Sequence, residues 1–293
     1  MKVTFPVLMT PDTLVESNVV DEALPGWSGA VAYPVGARVI CERRVWEAVQ
    51  ATTGARPPDS PEVWLDLGAT NVWAMFDGKV GSQSTRETPI VVRLRPGIIS
   101  DVSLLNVDAD LVEVALSYEG EIVWSASRDM RTSETITNWF EYFFTEFRAR
   151  TDVSFANVPP YLKGELIVTV SKPVNDVAVG ELIVGRSLVF GETQISPRLG
   201  INDYSRKDVD AWGDYFVVER AFSKRMSVNV RIPNVLVDEV YRVLAKHRAT
   251  PLIWDANDER FGALIVYGFY KSFTVDIAHY THSFCTLDIE GLT

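Results

Sequence analysis

The chain is expected to be mainly β, with a central β-sandwich or jelly roll and a C-terminal antiparallel sheet packed with one helix. Three observations predict this. From Ile90 onward, short runs of branched and apolar residues alternate in period two. Turn signals separate them at Pro96-Gly97, Glu119-Gly120, Gly180, Gly185 and Gly191. Late in the chain, one stretch near 235–246 switches to helical spacing. Short strands with such turns suit a sandwich or jelly roll.

Residues 1–26 carry few periodic apolar positions and are punctuated by Pro6, Pro11, Pro25 and Gly26. They are expected to form an extended arm ordered by a partner surface. Residues 27–71 form a separate block holding Trp27, Tyr33, Trp46 and Trp64, with short strands predicted at 38–41 and 44–48. So small a block has little core, and its large aromatics must supply most of the buried area. Residues 72–84 then lead through Trp73, Met75 and Phe76 into a Gly81-Ser82-Gln83-Ser84 linker.

The central domain is expected over 85–200. Strands are predicted at 90–94, 111–116, 121–125, 166–170, 182–184 and 187–190. One insertion breaks the rhythm, because Ile136, Trp139, Phe140, Phe143, Phe144 and Phe147 recur at helical spacing after Ser133, a residue able to cap. The final domain is expected over 201–293. Met226, Val228, Val230 and Ile232 alternate with polar residues as a half-buried strand. A helix follows from about Val235 to Lys246, with Asn234 as candidate cap and Asp238 and Glu239 at its positive end. A strand at 251–254 and two long strands close the chain, and one helix on a curled sheet would bury both apolar faces.

Composition narrows the function. The 293 residues hold 28 Lys+Arg and 39 Asp+Glu, a net charge of −11, which disfavours a general binder of nucleic acid because phosphate neutralisation needs a basic face. There is no 18-residue apolar run to predict a membrane span and no secretory leader. Two cysteines, Cys41 and Cys285, cannot make a disulfide framework. Eight Trp in a chain with three His suit binding or assembly more than proton-transfer chemistry.

No catalytic motif is found. The glycines at 180–191 lack the Lys-Ser/Thr ending of a phosphate loop, and Gly26-Trp27-Ser28-Gly29 misses the nucleophile-elbow spacing by one residue. His279, His282 and Cys285 are spaced by three on a predicted strand, which sends neighbours to opposite faces. Asp255, Asp258 and Glu259, like Asp108 and Asp110, miss the calcium-loop spacing. The chain is therefore expected to be no enzyme, with no metal and no cofactor. The charged run 203–208 before Trp212-Gly213 is expected to be a boundary loop, and Tyr204, Arg206 and Trp212 are its candidate interface residues.

Two resemblances add to these readings. Ala32-Tyr33-Pro34-Val35-Gly36-Ala37-Arg38-Val39, then Val45-Trp46-Glu47-Ala48, Pro57 and Trp64, resemble the chitin-binding type 3 pattern of carbohydrate-binding modules of families 5 and 12. The resemblance implies a three-stranded module that holds sugars on exposed aromatics, with Trp27, Tyr33 and Trp46 as candidates here. The stretch Val49-Gln50-Ala51-Thr52 stands where the family carries its Trp-rich platform, so the fold could persist with sugar binding lost.

Residues 69–77 (ATNVWAMFD), 200–206 (GINDYSR), 266–269 (VYGF) and 285–292 (CTLDIEGL) resemble minor tail or baseplate proteins of long-tailed bacteriophages. This implies a structural protein of the distal tail, assembled in the host cytoplasm as a homo-oligomeric ring. Its expected partners are other tail proteins of the tube, hub or tape-measure region. The alternative expectation is a host-surface adhesin that binds glycan through residues 27–71.

Overall fold

In the computed structural model, residues 1–131, 150–195, 197–209, 212–256, 262–277 and 279–292 are described. The chain opens with β1 (Lys2–Pro6) and β2 (Leu14–Ser17). A small block follows with β3 (Ala32–Tyr33), β4 (Arg38–Cys41), β5 (Arg44–Ala48), β6 (Thr52–Thr53) and β7 (Trp64–Ala69). After the single turn α1 (Asn71–Ala74) come β8 (Ser84–Glu87), β9 (Ile90–Leu94), β10 (Asp101–Asp108), β11 (Leu111–Tyr118) and β12 (Glu121–Asp129). Then come β13 (Val153–Phe155), β14 (Glu165–Ser171), β15 (Asp176–Val189), β16 (Glu192–Thr193) and β17 (Arg198–Asp203). A hairpin of β18 (Arg206–Val209) and β19 (Tyr215–Val218) precedes β20 (Phe222–Pro233) and the helix α2 (Val237–Lys246). The strands β21 (Leu252–Asp255), β22 (Ile265–Asp276) and β23 (His282–Gly291) finish the chain. The fold is mainly β, with a large curled antiparallel sheet and one longer helix near the C-terminus, as the alternation predicted. The aromatic segment expected as a helix over Ile136–Phe147 lies outside the described residues.

The large sheet has eleven strands in the order β13-β10-β15-β1-β21-β22-β23-β20-β16, with β17 also on β20 and β8 also on β15. Lys2–Pro6 corrects the expectation of an arm. Lys2 pairs with Val189 on one side and Asp255 on the other, so β1 is an interior strand of its own chain's sheet. It also joins the strands expected as separate domains over 85–200 and 201–293 into one continuous sheet. The sequence hid this because only Val3 and Phe5 alternate before Pro6, and nothing local marks Lys2 for burial.

A second sheet, β12-β11-β14-β9-β2, packs on part of the first. Val112, Val114 and Leu116 of β11 and Leu166, Val168 and Val170 of β14 meet Val102, Leu104, Val179 and Val184 of the large sheet in one core. This is the sandwich that period-two alternation predicts, since one parity of each strand goes inward. The second core lies under α2. Val240 and Leu244 cover Met226, Val228, Val230, Leu287 and Ile289, and Met1 and Val3 of β1 join them. Asn234 does not cap the helix. A short 3-10 turn over Asn234–Leu236 comes first, and the Asn234 side chain donates to the His279 carbonyl at 2.8 Å while accepting from Ser283 Oγ at 2.6 Å. The Asn thus ties the helix entry to the start of β23.

Residues 27–71 contain the antiparallel sheet β4-β5-β7 and the short pair β3-β6. Their core is Tyr33, Val39, Trp46, Ala48 and Trp64. The Tyr33 and Trp64 rings meet edge to face at 5.4 Å, a favourable aromatic arrangement.

Candidate functional site

The three residues expected to hold a sugar are placed by this small core. Tyr33 and Trp46 are only 7% and 9% exposed. The Tyr33 hydroxyl accepts from the Ser28 amide at 2.8 Å, and Trp46 Nε1 donates to the Cys41 carbonyl at 3.2 Å. Trp27 is half-buried and packs against the same cluster. A sugar needs an open ring face, and Tyr33 and Trp46 offer none, which corrects their assignment as platform residues. A block of about this size must spend its aromatics on its own core.

The interface candidates fall together on one segment that leaves the body and returns. Tyr204 sits at its base, where its hydroxyl lies 3.1 Å from Ser223 Oγ. Arg206 lies on β18 and pairs with Asp208 at 2.5 Å. Lys207 pairs with Asp203 at 2.7 Å; this hydrogen bond, with those from Ser205, holds the Asp203 carboxyl well below its ordinary range. Trp212 precedes β19 and is 90% exposed.

Among the described residues, β18 and β19 pair only with each other, from Arg206↔Val218 to Val209↔Tyr215. Successive strand residues point to opposite faces, and all four of Tyr215, Phe216, Val217 and Val218 are exposed. Tyr215 and Phe216 are 76% and 65% exposed. The hairpin therefore shows apolar side chains on both faces. An isolated two-stranded hairpin is marginal in water and gains stability by packing on another surface. Exposed apolar groups on this scale mark interaction sites.

A second feature was not legible in the sequence. An apolar recess of about 300 Å³ opens where β10, β20, β22 and the chain after β23 meet, lined by Val80, Leu105, Phe222, Ile265, Tyr267 and Leu292. Local backbone geometry builds its rim. Asn106 takes a positive φ of 51°, a conformation Asn tolerates better than most residues. Its Nδ2 donates to the Val80 carbonyl at 2.7 Å, and its amide donates to Asp152 Oδ1 at 3.0 Å. Gly180 faces it, and a Cβ there would stand 2.7 Å from both Asn106 Cβ and the Val80 carbonyl oxygen. Lys224 forms an ion pair with the buried Asp152 at the recess wall.

Two buried polar groups lie on the same sheet face. Glu181 is 4% exposed and accepts from the Gly78 amide at 3.1 Å. Burial first, and then the charge of Asp77, push its carboxyl up to about 9 against the opposing Gly78 bond, so it is protonated at neutral pH. Burial, with Glu181 and Asp77 beyond it, likewise pushes the Tyr267 hydroxyl up to about 12. Further along, Lys2 Nζ reaches Asp101 at 2.5 Å and Asp255 at 3.2 Å. Burial pushes the Lys2 ammonium down, but the hydrogen bond to Asp101 and the two carboxylate charges outweigh it and leave it above its ordinary value.

Among the described residues, no group of three or more His, Cys, Asp or Glu side chains is arranged to hold a metal ion, and no helix is long and apolar enough to cross a membrane. His279 and His282 stack at 4.6 Å between ring centroids, while Cys285 turns into the core under α2. No protein-family model matches the chain, and no curated protein matches it.

Proposed function

We propose that this chain is a structural component of a bacteriophage tail tip or baseplate, assembling with copies of itself and with other tail proteins. The observation that carries the assembly part is the β18–β19 hairpin. Among the described residues it pairs with no other strand, and it shows Tyr215, Phe216, Val217 and Val218 to solvent. Aromatic side chains presented this way act as interface anchors, since each buries a large area at little entropic cost. The tail location rests on the resemblance of residues 69–77, 200–206, 266–269 and 285–292 to tail proteins, and the mainly β fold with a helix near the C-terminus is compatible with it. The net charge of −11 favours solubility before assembly and selects partners by sign.

The test is immunogold electron microscopy of purified virions with antibody to this chain. Label is expected at the distal end of the tail. Label on the capsid, or none on intact particles, overturns the reading.

A further inference from the structure

We infer that the outer edge of β19 pairs antiparallel with β19 of a second copy, about a two-fold axis at Val217. This deepens the proposed function by naming a contact between copies, and it rests on that reading. The two edges of the hairpin differ in kind. Three of the four β18 residues, Arg206, Lys207 and Asp208, are charged, and charge on an edge strand discourages further pairing. β19 is Tyr215-Phe216-Val217-Val218, with no charge and no proline, and all four residue types favour strands. Its outer edge has no strand partner among the described residues. The row of unpaired backbone groups on such an edge is a template for another strand.

The sequence of this edge is complementary to itself. A two-fold axis perpendicular to the hairpin opposes residues of the same parity, so each face of one copy continues into the same face of the other. Centred on Val217, the pairing sets Phe216 against Val218 on one face and Val217 against its own counterpart on the other. Tyr215 meets Glu219, and its hydroxyl tip suits a carboxylate. Centred one residue earlier, Val218 would face Asp214; one residue later, Val217 would face Glu219 and Phe216 would face Arg220. Only the pairing about Val217 keeps every Phe and Val of β19 against another apolar side chain, and such directly opposed pairs stabilise a sheet. The product is a four-stranded sheet, and three or more strands are what a lone hairpin lacks. A partner of another sequence would complete the edge without any need for the edge to match itself. A two-fold contact closes at two copies, so a larger assembly uses a further surface as well.

The test is sedimentation velocity on the full chain, with substitutions at the axis. Val217 is 56% exposed, so a charge there leaves the fold of a single copy intact. The wild-type chain is expected to form a dimer as concentration rises. Val217→Lys alone and Val217→Glu alone are expected to stay monomeric, because each sets two like charges directly opposite. An equal mixture of the two is expected to dimerise, because unlike charges then meet at the axis. A wild-type chain that stays monomeric up to about 1 mM overturns the inference and leaves the edge to a partner of another sequence. Single variants that associate like wild type overturn it too, as does a mixture that fails to associate.

Disulfide trapping reads the register without adding charge. Under mild oxidation Val217→Cys is expected to give a covalent homodimer on a non-reducing gel, since opposed Cα atoms lie about 4.5–5.5 Å apart, within disulfide reach. Phe216→Cys is expected to stay monomeric alone and to join Val218→Cys in a mixture, because its own counterpart is a diagonal neighbour about 7–8 Å away. The wild-type chain on the same gel controls for Cys41 and Cys285. No homodimer from Val217→Cys, or equal trapping of Phe216→Cys alone, overturns the contact. Incorporation of Val217→Lys into tails at wild-type level would overturn this contact and leave the tail assignment standing. Absence of the wild-type chain from tails would overturn the assignment itself, while sedimentation and trapping of the purified chain still read the contact.

Discussion

Lys2→Met is expected to cost about 3–5 kcal/mol of unfolding free energy. Lys2 stands in the interior strand β1 with Asp101 at 2.5 Å and Asp255 at 3.2 Å, and its side chain is only 7% exposed. Asp101 is on β10 and Asp255 on β21, so the ammonium ties a strand of the sandwich to a strand of the helix-backed sheet. Removing it leaves two carboxylates facing each other out of water, where the missing partner costs more than the pair was worth. Urea unfolding checks this through the midpoint. The triple variant Lys2→Met/Asp101→Asn/Asp255→Asn is expected to recover much of the loss, because no buried charge is left unpaired. A loss below about 1 kcal/mol for Lys2→Met, the range of an exposed ion pair, would show that the site is wetter than the structure indicates.

The second large effect is a pH dependence set by Glu181. Its folded carboxyl titrates at about 9, while its ordinary value is 4.5. Below 4.5 the folded and unfolded chains both hold the proton, and burial carries no charge penalty. Between 4.5 and 9 the unfolded chain releases the proton and the folded chain keeps it, so stability falls as pH rises. The slope is at most about 1.4 kcal/mol per pH unit. Above 9 the folded carboxyl ionises too, and this contribution is exhausted. Glu181→Gln removes the titration and keeps an acceptor for the Gly78 amide. The variant is expected to match wild type near pH 4 and to melt higher at pH 8. Thermal melts across pH 4 to 9 measure it, and parallel curves for the two proteins would contradict the burial of this carboxyl.

Both effects arise from residues whose partners are remote in sequence, and that divides what was legible from what was not. Alternation exposed the strands directly. Val112, Val114 and Leu116, or Met226, Val228 and Val230, each bury one parity, and period two in a sequence has that single physical meaning. The helix over 237–246 was legible for the same reason, though its cap was not. Asn234 has the chemistry of a cap, but tertiary bonds to His279 and Ser283 claim its side chain.

Strand β1 was not legible, because five residues carry too little pattern and a lysine has no local reason to be buried. Its reason is Asp101, 99 residues away. Tyr33 and Trp46 were misplaced by a related route. Exposed and buried aromatics look alike in sequence, and only packing shows that Tyr33 and Trp46 are core. The hairpin was partly legible. The charged run at 203–208 and Trp212 pointed to it, and the run Tyr215-Phe216-Val217-Val218 beyond Gly213-Asp214 was the further signal. The recess was not legible at all, since a positive φ at Asn106, a bare Gly180 and side chains from distant strands make it together.

The central claim is that residues 206–218 form an assembly surface, and hydrogen exchange tests it most directly. Among the described residues, amides of β18 and β19 have only one another as ladder partners and should exchange fast in dilute solution, as low-stability segments do. At concentrations where the chain assembles, their exchange is expected to slow. Exchange in the hairpin that stays equally fast while the chain associates would contradict the account.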